Sequence, residues 1–253
     1  MRRLDSSFSR SFALILLASS SGCIGVSQPR NPSGGNDSAP VSAETASKMG
    51  LRTCPNGMKP ADDGLADDFE DGNTQLLVLA GRDGYWWKHA DPNGSKFDPD
   101  ELLLKDVAGD GSNHALFASG TTAASDEAYG ASIGVNFSSA GLYDASYYDG
   151  ISFRAKVDSD AAKKVRLKVG DVNTHQDAGV CKTCWNHFGK DLVLTDDWKE
   201  YQVSFTELRQ APGWGDPNPP AITSEKLYSL DFTFEKSGKF AFWLDDVQFL
   251  VCK

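Results

Sequence analysis

Basic residues are in deficit in this chain: 25 Lys and Arg stand against 35 Asp and Glu, a formal charge of -10. So acidic a chain has no general attraction for a phosphate backbone or an anionic membrane surface, although a local basic patch remains open. There is no phosphate-cradling loop, no dinucleotide fingerprint and no Ser-His-Asp grouping that can be assembled along the sequence. Catalysis is therefore not expected. A pair of facing glycosidase carboxylates is the alternative, since acids are plentiful and their spacing along the chain does not report their spacing in space. Long helical patterns are also scarce, which excludes parallel βαβ architecture. The one strongly apolar run near the start is too short to span a bilayer as a helix, and no other long apolar segment offers a span.

That run opens what is present. Arg2 and Arg3 precede Phe12–Ala18 (FALILLA) and a stretch of small residues, the pattern of an export signal over residues 1–22. Ser21-Gly22-Cys23 then resembles a bacterial lipoprotein cleavage site, with Cys23 becoming the lipidated first residue of an outer-membrane lipoprotein; ordinary secretion is the alternative. Cleavage removes Arg2, Arg3, Arg10 and Asp5, taking the formal charge from -10 to -12. Residues 24–50 are rich in Ser, Pro, Gly and Asn without an apolar period and read as a flexible linker. One folded domain is expected over residues 51–253.

Within it, short strands with period-2 alternation are separated by turn signals such as Asp71-Gly72 and Asp91-Pro92-Asn93-Gly94. Strands are expected at 76–79, 85–89, 114–119, 131–137, 151–157, 165–169, 192–194, 198–205, 228–234 and 240–251. In ISFRAKV, Ile151, Phe153, Ala155 and Val157 face one way and Arg154 the other; in VRLKVGD, Lys168 is outward in the same sense. Ten or so such strands predict an all-β fold, a jelly-roll β-sandwich of two antiparallel sheets. The strongest strand, FAFWLDDVQFLVCK, aligns Phe240, Phe242 and Leu244 in one phase and Val247, Phe249 and Val251 in the other. The phase change predicts a β-bulge at Asp245-Asp246, where a metal site, a local turn role and chance alternation all stand as readings.

The segment THQDAGVCKTCWNHFGK holds Cys181, Cys184, His175 and His187 within thirteen residues. Exported thiols oxidise, so a Cys181–Cys184 disulfide is the expectation and a zinc site of these four residues the alternative. Cys54 and Cys252 flank the domain, and because domain ends are often close, a bridge between them is expected as well. Outward-phase and loop residues Arg154, Lys168, Trp185, His175, His187 and Trp214 supply the rings and polar groups that bind sugars; Trp198 is assigned to the core.

Asp67-Asp68-Phe69-Glu70, YDGISFRAK, VRLKVGD, TDDWKEYQVSF and FWLDDVQF, in this order, resemble the galactose-binding-like jelly rolls, especially the family 11 carbohydrate-binding modules (CBM11). The resemblance covers about residues 64–251. It implies non-catalytic binding of a glycan or polysaccharide on a concave sheet carrying Arg154 and Lys168, with His187, Tyr148 and Trp214. It also implies a structural Ca²⁺ where the first and last strands meet, held by Asp68 or Glu70, carbonyls near Gly72, and Asp246 in preference to Asp245. A module contacting protein in adhesion or assembly is the alternative on the same fold.

Overall fold

The alternation of ISFRAKV in the sequence is its burial pattern in the folded chain: Ile151, Phe153, Ala155 and Val157 lie in the core while Arg154 and Lys156 reach outward. The computed structural model describes residues 39–216, 219–234 and 236–253; the expected signal over 1–22 and lipidation at Cys23 lie outside the described residues.

In chain order the elements are helix α1 (Ala43–Lys48) and strands β1 (Met58–Asp67), β2 (Trp86–Ala90), β3 (Lys96–Phe97), β4 (Leu103–Asp106), β5 (His114–Thr121) and β6 (Ala131–Asn136). They continue with β7 (Gly150–Val157), β8 (Lys164–Asp171), β9 (Phe188–Val193), β10 (Lys199–Ser204), β11 (Leu227–Phe234) and β12 (Lys239–Cys252). One sheet runs β10-β7-β12-β5-β3, with β1 added to β12 and β4 to β5; the other runs β2-β6-β11-β8-β9. Every pairing is antiparallel. The inner faces meet through rings such as Phe153 of β7 and Phe232 of β11, whose centroids are 5.0 Å apart. This is the expected jelly-roll β-sandwich.

Three segments depart from expectation. Val41 to Gly50, read as linker, packs on the sandwich: Ser42 caps α1 by accepting from the Thr45 amide, and Ala46 is buried together with Leu51, the expected first residue of the domain. Residues 76–79 form no strand: the only pairings there are isolated ones, Leu79 with Arg82 and, just before, Gln75 with Tyr85, because Ala80 and Gly81 turn the chain with positive φ. The acid-rich MKPADDGLAD forms β1, in which Ala61 and Ala66 supply the buried contacts.

The expected bulge lies in β12. Its register with β7 shifts between Asp245 and Gln248, and Asp246 has φ +49°. Both expected disulfides are formed. The Cys54–Cys252 bridge spans 198 residues, and a loop of that length removes on the order of 5 kcal/mol of unfolded-state freedom by the chain-entropy estimate.

Beneath the junction of β1 and β12 lies Arg82, 0 % exposed. Its guanidinium donates to the hydroxyls of Tyr143 (2.9 Å) and Tyr148 (3.2 Å) and to the carbonyls of Asp63 (2.5 Å) and Leu65 (3.1 Å). It also lies 5.1 Å from the Phe249 ring centroid. Carbonyl and phenol lone pairs together with ring faces solvate this buried cation, and truncating it would leave several buried acceptors unpaired.

Candidate functional site

The outer face of the five-stranded sheet forms the floor of a groove of about 2800 Å³, walled by the loops around residues 123–130, 174–187 and 207–216. Strand register lays its outward residues in rows. Trp87, Gly134, Asp231, Lys168 and Gly189 stand side by side across all five strands, and His89, Ser132, Thr233, Arg166 and Asp191 form the next row. Glycine at 134 gives the Trp87 indole its place against the sheet: a Cβ there would come within 2.5 Å of the ring. Gly170 does the same for His187, whose ring would lie 3.1 Å from an added Cβ.

Charge is concentrated in the centre of the floor. Asp231, 6 % exposed, places Oδ2 3.7 Å from His187 Nε2, and its Oδ1 has no hydrogen-bond partner among the described residues. Burial raises its carboxyl to about 6 against the opposing charge of Lys168. Burial lowers the Lys168 ammonium, with Asp231 opposing. His187 is pushed down to about 3 by burial and by the charges of Lys168 and His175. The Thr174 hydroxyl donates to Asp171 Oδ1 (3.0 Å) and lies 2.9 Å from His187 Nδ1. Thr233 Oγ1 and Trp214 Nε1, also lining the groove, are buried without partners among the described residues. Unpaired polar atoms of this kind are costly and rare unless something completes them.

Aromatic groups form one wall. His175 stacks on Tyr228 at 3.6 Å and 14°, and half-exposed Trp185 meets His175 edge-on at 4.8 Å. The Cys181–Cys184 disulfide closes the loop that carries them; with the two sulfurs bonded to each other, the zinc alternative fails. Two cross-braces hold this loop to the Trp214 loop. Asp216 accepts from the Lys182 (2.6 Å) and Thr183 (3.0 Å) amides, and Asn186 Nδ2 donates to the Ala211 (2.8 Å) and Trp214 (2.7 Å) carbonyls.

Five of the expected ligand-binding residues, Lys168, His175, His187, Trp185 and Trp214, thus line one groove. Two do not. Arg154 belongs to the other sheet, where it lies 3.4 Å from Asp246 Oδ2 and over the Trp198 ring, so it shares no surface with Lys168. Tyr148, 4 % exposed, is held in the core as a partner of Arg82. Trp198, expected in the core, is half-buried on the outside of the seven-stranded sheet. Sequence reading passed over Asp231, Tyr228 and Arg166, although alternation in SLDFTF sets Ser229, Asp231 and Thr233 opposite the buried Leu230, Phe232 and Phe234.

The expected cation ligands lie at the β1–β12 junction. Glu70 accepts from the His114 amide (2.7 Å), Asp68 Oδ1 accepts from the Glu70 amide (3.3 Å), and Gly72 turns the chain at φ +76°. Asp246 points outward to Arg154, and it is Asp245 that is buried, its carboxyl raised to about 6 by burial and by the charges of Asp246 and Glu70. Among the described residues, the one group of three ligand-type side chains within 4.8 Å of one another is Cys54, Asp149 and Cys252, whose sulfurs are spent in the disulfide.

No family model and no curated protein matches the chain. Solved structures do. The family 11 carbohydrate-binding module from Clostridium thermocellum, in complex with a β-1,3-1,4-mixed-linked tetrasaccharide, is 17 % identical with a TM-score of 0.53 over 76 % of this chain and 98 % of that one. The family 11 module of a C. thermocellum cellulosomal cellulase is 18 % identical with a TM-score of 0.51, over 78 % and 95 %. The fold is that of a carbohydrate-binding-module-like jelly roll.

Burial of His187 has a pH signature. Its folded value, near 3, lies below the ordinary 6.5, so the unfolded chain binds the proton first. The contribution is complete above about pH 6.5 and is lost as pH falls towards 3. In thermal melts, the stability advantage of the wild type over His187→Gln should shrink from pH 7 to pH 4; a constant difference would contradict this assignment.

Proposed function

We propose that this protein binds a glycan non-covalently in the groove of the five-stranded sheet. The observation that carries the reading is the floor itself: a carboxyl, an ammonium and an imidazole in close register, with unpaired polar atoms beside them and tryptophans at the margins. A sugar presents apolar C–H faces for the rings and hydroxyls that both donate and accept, so one hydroxyl suits Asp231 Oδ1 or His187 Nε2 and another the Lys168 ammonium. Such contacts hold a ligand without bond-making, so the role proposed is non-catalytic. In calorimetry against β-glucans, cell-wall glycans and exopolysaccharides, at least one glycan should bind, and Trp87→Ala or Lys168→Ala should each weaken it about tenfold. Absence of binding throughout the panel would overturn the reading and favour the alternative of a protein-binding adhesion or assembly module.

We also propose that a structural Ca²⁺ is held at the β1–β12 junction. Carboxylates outnumber cations around Asp245, where Asp246 and Glu70 are opposed by Arg154, and hard oxygen donors suit this ion. Glu70 and Asp245, with Asp68, Asp246 and the carbonyl of Gly72, are the groups that would hold it. A chelator should lower the melting temperature of the wild type, and Asp246→Ala should abolish that sensitivity; a wild type indifferent to chelation would refute the site.

For location, we propose the bacterial cell envelope, by lipidation at Cys23. Fractionation should find the protein with membranes and the Cys23→Ser chain released; a wild type recovered only as soluble protein would favour secretion.

A further inference from the structure

The groove does not end at Trp87. On the far side of that ring lies a second hollow, about 310 Å³, bordered by Tyr85, Trp87, Asn136, Ser138, Gly141 and Tyr228. Trp87, Asn136 and Tyr228 border both spaces, so the indole stands as a ridge between them. The ridge is fixed: Trp87 Nε1 donates to Asn136 Oδ1 at 3.2 Å, and Gly134 beneath admits the ring. That bond uses the oxygen of the Asn136 amide. Its Nδ2 and the Tyr85 hydroxyl make no hydrogen bond among the described residues. Tyr85 is 58 % exposed, so its ring face is open to a ligand lying in the hollow. Antiparallel pairing of Gln75 with Tyr85, and the Trp86 amide bonded to the Thr74 carbonyl, hold its backbone in place.

We infer that the Tyr85 hollow is an outlying sugar subsite, so that the ligand is a linear polysaccharide crossing Trp87 rather than a mono- or disaccharide. This deepens the proposed function and rests on it. A chain in the main groove continues over the indole, lays a sugar face on Tyr85 and offers hydroxyls to Asn136 Nδ2 and to the Tyr85 phenol. The hollow is of single-residue size, so it adds affinity for longer chains and none for those that fill only the main groove. Tyr85 lies outside the buried core and its substitution leaves the fold intact.

The test compares tri- and hexasaccharides of linear neutral glucans, xylans and mannans by calorimetry, using the full chain as wild type, Tyr85→Ala, Tyr85→Phe and Trp87→Ala. The wild type should bind the longer oligomer more tightly. Tyr85→Ala should weaken the hexasaccharide about fivefold and leave the trisaccharide unchanged. Tyr85→Phe, keeping the ring, should retain most of the affinity. Trp87→Ala, on the ridge, should weaken both lengths. Equal loss at both lengths in Tyr85→Ala, or none at either, would overturn the subsite while leaving the groove reading intact. Failure of every oligomer to bind the wild type would overturn the groove reading, and this one with it.

Discussion

β12 carries two different neighbours on one edge, and the sandwich depends on the bend that makes this possible. Along one side it pairs with β7 from Phe242 to Leu250. Along the other, Lys239–Leu244 pairs with β5 and Val247–Cys252 with β1. Two strands arriving at one edge cannot share a flat ladder, so the closing strand takes an extra residue where the partner changes. Asp246 adopts the left-handed conformation, which costs a non-glycine residue about 1 kcal/mol and which Asp tolerates better than most. Its amide is satisfied by Asp245 Oδ1 at 2.8 Å. In return, Phe240, Phe242 and Leu244 before the bulge and Val247 and Phe249 after it all reach the same core. The Cys54–Cys252 bridge and the Arg82 clamp secure the strand that this bend delivers.

With that sheet fixed, the second one is free to carry function on its outer face. Its inward residues are mostly Leu, Ile, Val and Phe, with Trp86 and Ala131, and its outward residues mix ions, glycines and small hydroxyls with Trp87. Glycine at positions 134 and 170 has two consequences at once: it removes bulk from the floor and lets Trp87 and His187 lie close to the sheet. A buried carboxyl and a half-buried ammonium are held there at a cost, since desolvation raises Asp231 and lowers Lys168 despite their mutual attraction. A sheet face built only for stability has no use for such a desolvated pair, because apolar residues of similar volume do as well or better.

The fold was largely legible because alternation is local. Strands β5 to β8 and β10 to β12 follow from period-2 patterns, and the bulge follows from a change of phase within fourteen residues. β1 was not legible in MKPADDGLAD: its acids hide a strand whose inward residues are small alanines rather than the branched or aromatic residues that signal one. The site was half legible. Alternation establishes that Arg154 and Lys168 point away from the core, but each sheet has its own outside, and which sheet a strand joins is decided by pairings far along the chain. Arg154 consequently falls beside Asp246, and Lys168 beside Asp231. Tyr148 fails for a similar reason: its partner, Arg82, is 66 residues away and carries no sequence signal of burial.

The two outer faces also differ in what covers their rings. On the seven-stranded sheet, register aligns Phe117, Trp243 and Lys156, and the chain's own cations lie on the rings: Lys105 over Phe117 at 3.4 Å, Lys156 over Trp243 and Trp198, Arg154 over Trp198. Long cationic side chains laid over apolar surface leave it shielded while their heads stay in water. In the groove, no Lys or Arg lies over Trp87, Trp185 or Trp214 among the described residues. Both faces are rich in aromatic and basic residues, so composition does not separate them. The covered rings complete a surface, whereas the bare ones, next to polar atoms without partners, leave a surface for a ligand to complete. That asymmetry, more than the number of tryptophans, is the reason for proposing the outer face of β2-β6-β11-β8-β9 as the binding face.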